Sequence, residues 1–352
     1  GAGGGHMVFA NDGLLGRFSC EALQAHPGVL WLPLEEAMER HAHLLERYFM
    51  RGESCFGSAK HLALHQAHVR AGSFLYVPKG VKLEAPLQAT HWLAGSGQSL
   101  FPHTLIVAEE GSSLTFVDWF RSEGNGANLA CGVNDLFVGP GAQVRYVSVQ
   151  EWNAQTVSLQ SNTTRVETGA QAHHLALHFG GKFSRTESVS RLEGAHARSE
   201  MLAATVADGA QEFDQRTLQE HLCADTSSDL LYKNALYDSS KTVFSGLIRV
   251  HPHAHRTDAY QKARNLVLSS DAEAVSLPGL EILADQVRCS HGATTGEIHP
   301  EELFYMQSRG IPAKEAYGLI TFGFLNEVLE RFPAAALRES LQNHLRSRLL
   351  GH

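Results

Sequence analysis

Apolar and polar residues alternate with a period of two over much of the chain from about residue 72 onward. In residues 144–150, Val144, Tyr146, Ser148 and Gln150 share one face, and Arg145, Val147 and Val149 share the other. Successive side chains of a β-strand point to opposite faces, so this period predicts strands. Residues 100–206 contain no window of helical length, which argues against βαβ units. The central region is therefore predicted to be built from short strands.

A glycine-containing turn recurs between these predicted strands. Gly111-Ser112, Gly141-Ala142, Gly169-Ala170 and Gly194-Ala195 follow one another at intervals of 30, 28 and 25 residues. Glycine supplies the positive φ that a tight corner needs. A Greek-key sandwich would also contain short strands and glycines, but not at this spacing. A repeat of this length in β-rich sequence favours a solenoid, in which each coil stacks on the next.

Helical periodicity appears near both ends of the chain. Leu34–Met50 has apolar residues at helical spacing and charged residues mostly on the opposite face, which predicts one amphipathic helix. Residues 300–331 predict two helices that are broken at Gly310-Ile311-Pro312. A third helix is predicted over Ala334–Leu350, with a stripe formed by Leu337, Leu341, Leu345 and Leu349. That stripe either packs within the domain or docks onto a partner.

These patterns divide the chain into four parts. We interpret residues 1–7 (GAGGGHM) as a tag remnant, because they have neither the charged nor the apolar region of a signal peptide. The natural chain is then expected to start near Met7, and an original N-terminal segment could be missing. Residues 8–70 are predicted to be helices and loops, 71–296 the β core and 297–352 a C-terminal helical domain.

Composition excludes several classes of protein. Hydrophobic residues make up 43% of the 352 residues, as in globular proteins. The net charge of −8, without a long basic run, argues against general nucleic-acid binding. No window approaches 18 uninterrupted apolar residues, so no transmembrane helix is expected. The five cysteines are scattered and odd in number, which indicates reduced thiols and a cytoplasmic setting.

One pair of residues has metal-binding chemistry. On a strand, Cys289 and His291 of the segment CSHG would point to the same side, roughly 6.5–7 Å apart along the chain. A thiolate and an imidazole on one face suit a metal such as iron or zinc. They would also suit a Cys/His nucleophile pair. The alternative is a buried cysteine beside a hydrogen-bonded histidine, since free cysteine behaves as a small hydrophobe.

Two groups of histidines are weaker candidates. His251, His253 and His255 would line one face of a strand and resemble a metal site, but Pro252 argues against a regular central strand. We expect a solvated edge or turn there. His174 and His178 share a strand face, whereas His173 points the other way. Without further ligand residues, these three are predicted to be satisfied or surface histidines. The ATP-binding GxxxxGK[ST] loop is absent from the sequence.

Long ungapped segments resemble a known family. Residues 72–87 (GSFLYVPKGVKLEAPL), 104–118 (TLIVAEEGSSLTFVD) and 245–310 are similar to the SufB/SufD family of iron–sulfur cluster assembly proteins. The resemblance covers most of residues 70–332. Residues 289–294 (CSHGAT) look like the SufD branch, because acidic residues flank the histidine in SufB-type proteins. Those proteins also carry a cysteine near Ala272, which this chain lacks.

The resemblance implies a mainly β fold: a right-handed parallel β-helix with flanking N- and C-terminal helical segments. It also implies a non-catalytic scaffold in the cytoplasm. The β-helix would pair with SufB, and the C-terminal helices would bind the ATPase SufC. A transient iron–sulfur cluster would form at the interface between the two β-helices, and none would be tightly bound in the isolated chain. By residue matching, His291 is the family's cluster-site histidine, with Cys289 beside it. A cluster needs about four ligands, so the partner would supply the rest.

Two other functions remain open at this point. Parallel β-helices also occur in carbohydrate-active enzymes, which need clustered carboxylates or a calcium site. No such acidic cluster falls on one predicted face. The other alternative is a β-helix metal-binding protein that uses His251, His253 and His255. Exposed strand edges also predict a homodimer when the chain is isolated.

Overall fold

The computed structural model describes residues 4–52 and 55–350. The first sheet contains β1 (His6–Ala10), β2 (Gly13–Phe18), β5 (Leu87–Ala94), β8 (Ser113–Glu123), β10 (Gln143–Glu151), β12 (Gln171–His178), β14 (Arg198–Ala207), β16 (Ser227–Leu236), β18 (Asp258–Val267) and β20 (Arg288–Gly296). The second contains β3 (Leu30–Pro33), β4 (Gly72–Val77), β6 (Ser99–Leu100), β7 (His103–Ala108), β9 (Leu129–Val138), β11 (Val157–Val166), β13 (Phe183–Leu192), β15 (Glu212–His221), β17 (Lys241–Val250) and β19 (Glu273–Ile282). The helices are α1 (Glu21–Gln24), α2 (Leu34–Arg40), α3 (Ala42–Tyr48), α4 (Ala59–His68), α5 (Pro300–Ser308), α6 (Ala313–Glu330) and α7 (Ala335–Leu350).

From β7 onward, successive strands belong alternately to the second and the first sheet. Even-numbered strands from β8 to β20 pair in parallel in the first sheet, and odd-numbered strands from β7 to β19 pair in parallel in the second. The chain therefore winds as a parallel β-helix, which confirms the predicted architecture. Alternate residues of each strand face the space between the two sheets, which we call the lumen. Leu114, Val144 and Ala172 form one such inward row and are fully or almost fully buried.

The corners that lead from the second sheet to the first explain the repeat in the sequence. Gly111, Gly141 and Gly169 have φ values of 64–65° at three successive corners. The fourth predicted glycine, Gly194, is not the left-handed residue, and His196 takes that role with a φ of 62°. Gly194 is needed for another reason, because a Cβ atom there would lie 2.1 Å from the backbone nitrogen of Thr168.

The N-terminal segment differs from the prediction in two ways. Leu34–Met50 is not one helix, since α2 and α3 are separated at His41, whose φ of −133° and ψ of 34° are not helical. The segment also contributes strands, which the sequence did not reveal. His6 and Met7, which we assigned to a tag remnant, begin β1, and the side chain of Met7 is fully buried.

The C-terminal helices follow the prediction closely. α5 and α6 are separated around Pro312, and α7 covers Ala335–Leu350. α6 and α7 pack on the outer face of the first sheet. The leucine stripe of α7 contributes Leu341 and Leu345 to a core that includes Leu175 and Leu202 of the sheet. The stripe is therefore used within the chain. In the described part of the chain we find no helix long and apolar enough to span a membrane.

Candidate site at the open end of the β-helix

The last coil of the β-helix is left without a neighbour on one side. Among the described residues, β20 ends the first sheet and pairs only with β18, and β19 ends the second sheet and pairs only with β17. Apolar side chains that would be covered by a further coil are consequently exposed. Among them are Leu280 and Ile282 on the inward face of β19.

Cys289 and His291 both lie on β20 and share its inward face. Their register partners on β18 are Ala259 and Gln261, whose side chains are almost completely buried in the lumen. The structure therefore brings the two predicted site residues to one side of one strand, as their spacing indicated. The ring of His291 is exposed because no further coil follows β20 within the described part of the chain.

Cys289 is half-buried rather than open to solvent. It packs against a small apolar cluster that includes Ile248, Val250 and Ala259. Burial raises the pKa of its thiol, and the negative charge of Asp258 raises it further, although a hydrogen bond with the backbone of Ala259 acts in the opposite direction. The thiol is thus protonated at neutral pH, and a bound metal would have to displace its proton.

The histidines of residues 251–255 do not converge on one point. They lie in the turns between β17 and β18, as expected from Pro252. His251 Nε2 contacts the Glu220 carboxylate at 3.0 Å, whereas His255 Nδ1 is 3.3 Å from the main-chain oxygen of Asp285. Among residues 4–52 and 55–350, no group of three or more His, Cys, Asp or Glu side chains is placed to hold a metal ion.

The histidines of β12 are satisfied structurally, as predicted. His174 and His178 face the lumen and are buried, and burial lowers their pKa values to about 3 and about 4. His173 points outward and contacts Glu200 at 3.0 Å. Four of the cysteines, Cys20, Cys131, Cys223 and Cys289, are free thiols.

Sequence reasoning missed Gln261 as a neighbour of the site. It lies 30 residues before His291, which is one turn of the repeat, and is its register partner on β18. The period was visible in the sequence, so subtracting a repeat length of 30 residues from His291 would have found Gln261.

Comparison with known proteins places this fold in a family. Residues 91–324 match the model of the SUF system FeS cluster assembly SufBD core domain, and residues 5–89 match that of the SufBD protein N-terminal region. The iron–sulfur cluster assembly protein SufD of Bacillus subtilis is 30% identical over 317 residues, covering 89% of this chain and 72% of the relative.

Two further relatives are longer than this chain. An iron–sulfur cluster assembly SufBD family protein of Mycobacterium leprae is 30% identical over 75% of this chain, which spans 31% of the relative. One of Staphylococcus saprophyticus is 27% identical over 87% of this chain and 66% of the relative. The family models together cover the β-helix and the N-terminal segment. The chain therefore belongs to the SufB/SufD family of iron–sulfur cluster assembly proteins.

Proposed function

We propose that this chain is a non-catalytic scaffold subunit of the SUF machinery. It holds a nascent iron–sulfur cluster together with SufB and binds the ATPase SufC in the cytoplasm. The observation that carries the proposal is the position of Cys289 and His291 on the inward face of the unpartnered terminal coil. The cluster is cargo here, made at the site and passed on.

The donor set suits a shared and labile site. A cluster takes about four ligands, and β20 offers one thiol and one imidazole. A second β-helix that covers the open end would bring further donors to the same place and would bury Leu280 and Ile282. SufB is the expected occupant. A second copy of this chain would use the same end when SufB is absent, so we expect a homodimer of the isolated chain.

The C-terminal helices divide into a structural and an exposed part. Leu341 and Leu345 of α7 are buried against the first sheet, so this stripe does not serve SufC. α5 has no buried residue, and its Phe304 and Tyr305 are 72% and 59% exposed. Exposed aromatic side chains are typical anchors of protein interfaces. We therefore assign SufC binding to α5.

Anaerobic reconstitution of the complex tests the proposal. The chain is co-expressed with SufB and SufC, purified, supplied with iron and sulfide, and followed by visible absorption. His291→Ala should leave the complex intact and reduce the cluster absorption, whereas His253→Ala, an exposed histidine of the corner, should not. Equal cluster content in the two variants would contradict the proposed site. Loss of metal in the His253→Ala variant alone would favour the alternative metal-binding protein.

A further inference from the structure

The amide of Gln261 is buried without a hydrogen-bond partner. The residue is only 1% exposed, and neither its Nε2 nor its Oε1 atom makes a hydrogen bond within the described part of the chain. A buried amide normally has its donors and acceptors paired, because leaving them unpaired is unfavourable. Such a group in a folded protein calls for an explanation.

Three of the strand neighbours of Gln261 carry no polar group to pair with it. Leu230 is its register partner on β16, and Ala259 and Ala263 are its inward-facing neighbours along β18. Across the lumen lies Gly246, where a Cβ atom would be 2.4 Å from Gln261 Nε2. Glycine there leaves room for the amide but gives it no polar group.

The remaining register neighbour of Gln261 is His291, on the side of the open end. We infer that Gln261 positions the imidazole of His291: its Oε1 atom accepts the N–H of one ring nitrogen and leaves the other nitrogen for the cargo. This inference rests on the proposed function. A histidine that binds metal usually donates its other ring N–H to an oxygen acceptor, which fixes both tautomer and orientation. Gln261 is thus a positioning residue, and His291 is the ligand.

Measurements of thermal stability and of cluster retention distinguish a positioning role of Gln261 from a purely structural one. Gln261→Met keeps the length of the side chain and removes its polar atoms. Since those atoms have no hydrogen-bond partner among residues 4–52 and 55–350, the thermal midpoint should stay the same or rise. Gln150→Met is the matched control, because the Gln150 amide is also in the lumen but is paired with Gly180 and Ser184. The control should lower the midpoint.

In the reconstituted complex with SufB and SufC, we expect Gln261→Met to affect the cluster more than Gln150→Met does, which is the reverse of their effects on the thermal midpoint. Gln261→Met should weaken cluster retention by about tenfold or more and change the visible circular dichroism of the cluster. Gln261→Glu, which keeps an oxygen acceptor, should recover part of the signal, and Gln150→Met should leave retention per folded complex unchanged.

Three results would overturn the inference. A midpoint lowered by Gln261→Met as much as by Gln150→Met would show that the amide has a structural partner. Wild-type retention in Gln261→Met, with reduced retention in His291→Ala, would refute the positioning role and leave the proposed function standing. If His291→Ala also retains the cluster, both fall.

Discussion

Lys233 on β16 donates a hydrogen bond from Nζ to the main-chain oxygen of Phe324 on α6 at 2.8 Å. The same ammonium group lies 4.4 Å from the centroid of the Phe324 ring and pairs with the Glu327 carboxylate. Lys233 is only 2% exposed, and burial lowers its pKa. The contact fixes α6 on the outer face of the first sheet, so the C-terminal helices are an integral part of the fold.

Replacing Lys233 should loosen this attachment. Lys233→Ala removes the donor and the buried methylene chain, and we expect the free energy of unfolding to fall by about 1–3 kcal/mol. Lys233→Met should stay closer to wild type than Lys233→Ala, because it keeps the buried methylene chain and because Glu327, whose side chain is 48% exposed, remains solvated. Urea denaturation measures both, with Lys262→Ala, an exposed lysine of β18, as the control. A Lys233→Ala variant as stable as this control would contradict the prediction.

The corner residues predict a pair of opposite effects. Gly169 has a φ of 64° and open space around its missing Cβ atom, so Gly169→Ala introduces backbone strain alone. It should destabilise the fold by about 1 kcal/mol. His196 occupies the equivalent position of the next corner with a φ of 62°, so His196→Gly should be neutral or stabilising. Thermal unfolding of the two variants checks this, and a destabilised His196→Gly would instead assign a contact role to its ring.

Buried histidines predict a loss of stability in acid. Burial lowers the pKa of His65 and His178 to about 4 and that of His174 and His221 to about 3, against 6.5 in the unfolded chain. Below pH 6.5 the unfolded state therefore binds more protons than the folded state. Each group then contributes a loss of about 1.4 kcal/mol per pH unit until its folded pKa is reached.

One buried carboxyl acts in the opposite direction. Burial raises the pKa of Asp135 to about 7, so its folded form gains protons between pH 7 and its ordinary value of 3.8. The stability gained by protonating Asp135 offsets the stability lost through one of the histidines. The net result is a steep fall in the free energy of unfolding between pH 6.5 and 4. Urea denaturation at several pH values measures it, and His178→Gln should reduce the slope. Constant stability over that range would refute the assignment of neutral histidines.

The proposed contact with SufC is assigned to the exposed aromatic residues of α5. Phe304→Ala should weaken capture of SufC by at least about tenfold, as expected for an aromatic anchor, without changing the thermal midpoint. Leu345→Ala should do the reverse, because this residue is buried against the first sheet. Pull-down with purified SufC, together with thermal unfolding, separates the two. Retained capture by Phe304→Ala would move the contact away from α5.

The repeat of the coils could be recognised in the sequence where glycine occupies the left-handed position of the corner. It could not be recognised where another residue occupies that position. His196, Asp225 and Arg256 adopt positive φ at later corners, and these residue types indicate a left-handed corner less specifically than glycine does. The break between α2 and α3 at His41 was hidden for a different reason. The apolar spacing of Leu34–Met50 continues across it, while packing on the second sheet decides the backbone there.

The candidate site was predictable in part. The two-residue spacing of Cys289 and His291 showed that they share a face of a strand. It did not show that this strand is the last one, because that depends on where the stack of coils ends. The lack of a partner for Gln261 was equally hidden, since it results from Gly246 on the opposite strand.

The open coil also determines how the molecule comes apart. In a stack whose coils touch only their neighbours, local opening begins where a coil has one neighbour instead of two. β19 and β20 form such a coil, so their amide protons should exchange with solvent sooner than those of β10–β17. Fraying of this one coil would change the spacing of Cys289 and His291 from any partner's donors while leaving the remaining coils paired. Under the proposed function, release of a cluster would then require the opening of this terminal coil alone.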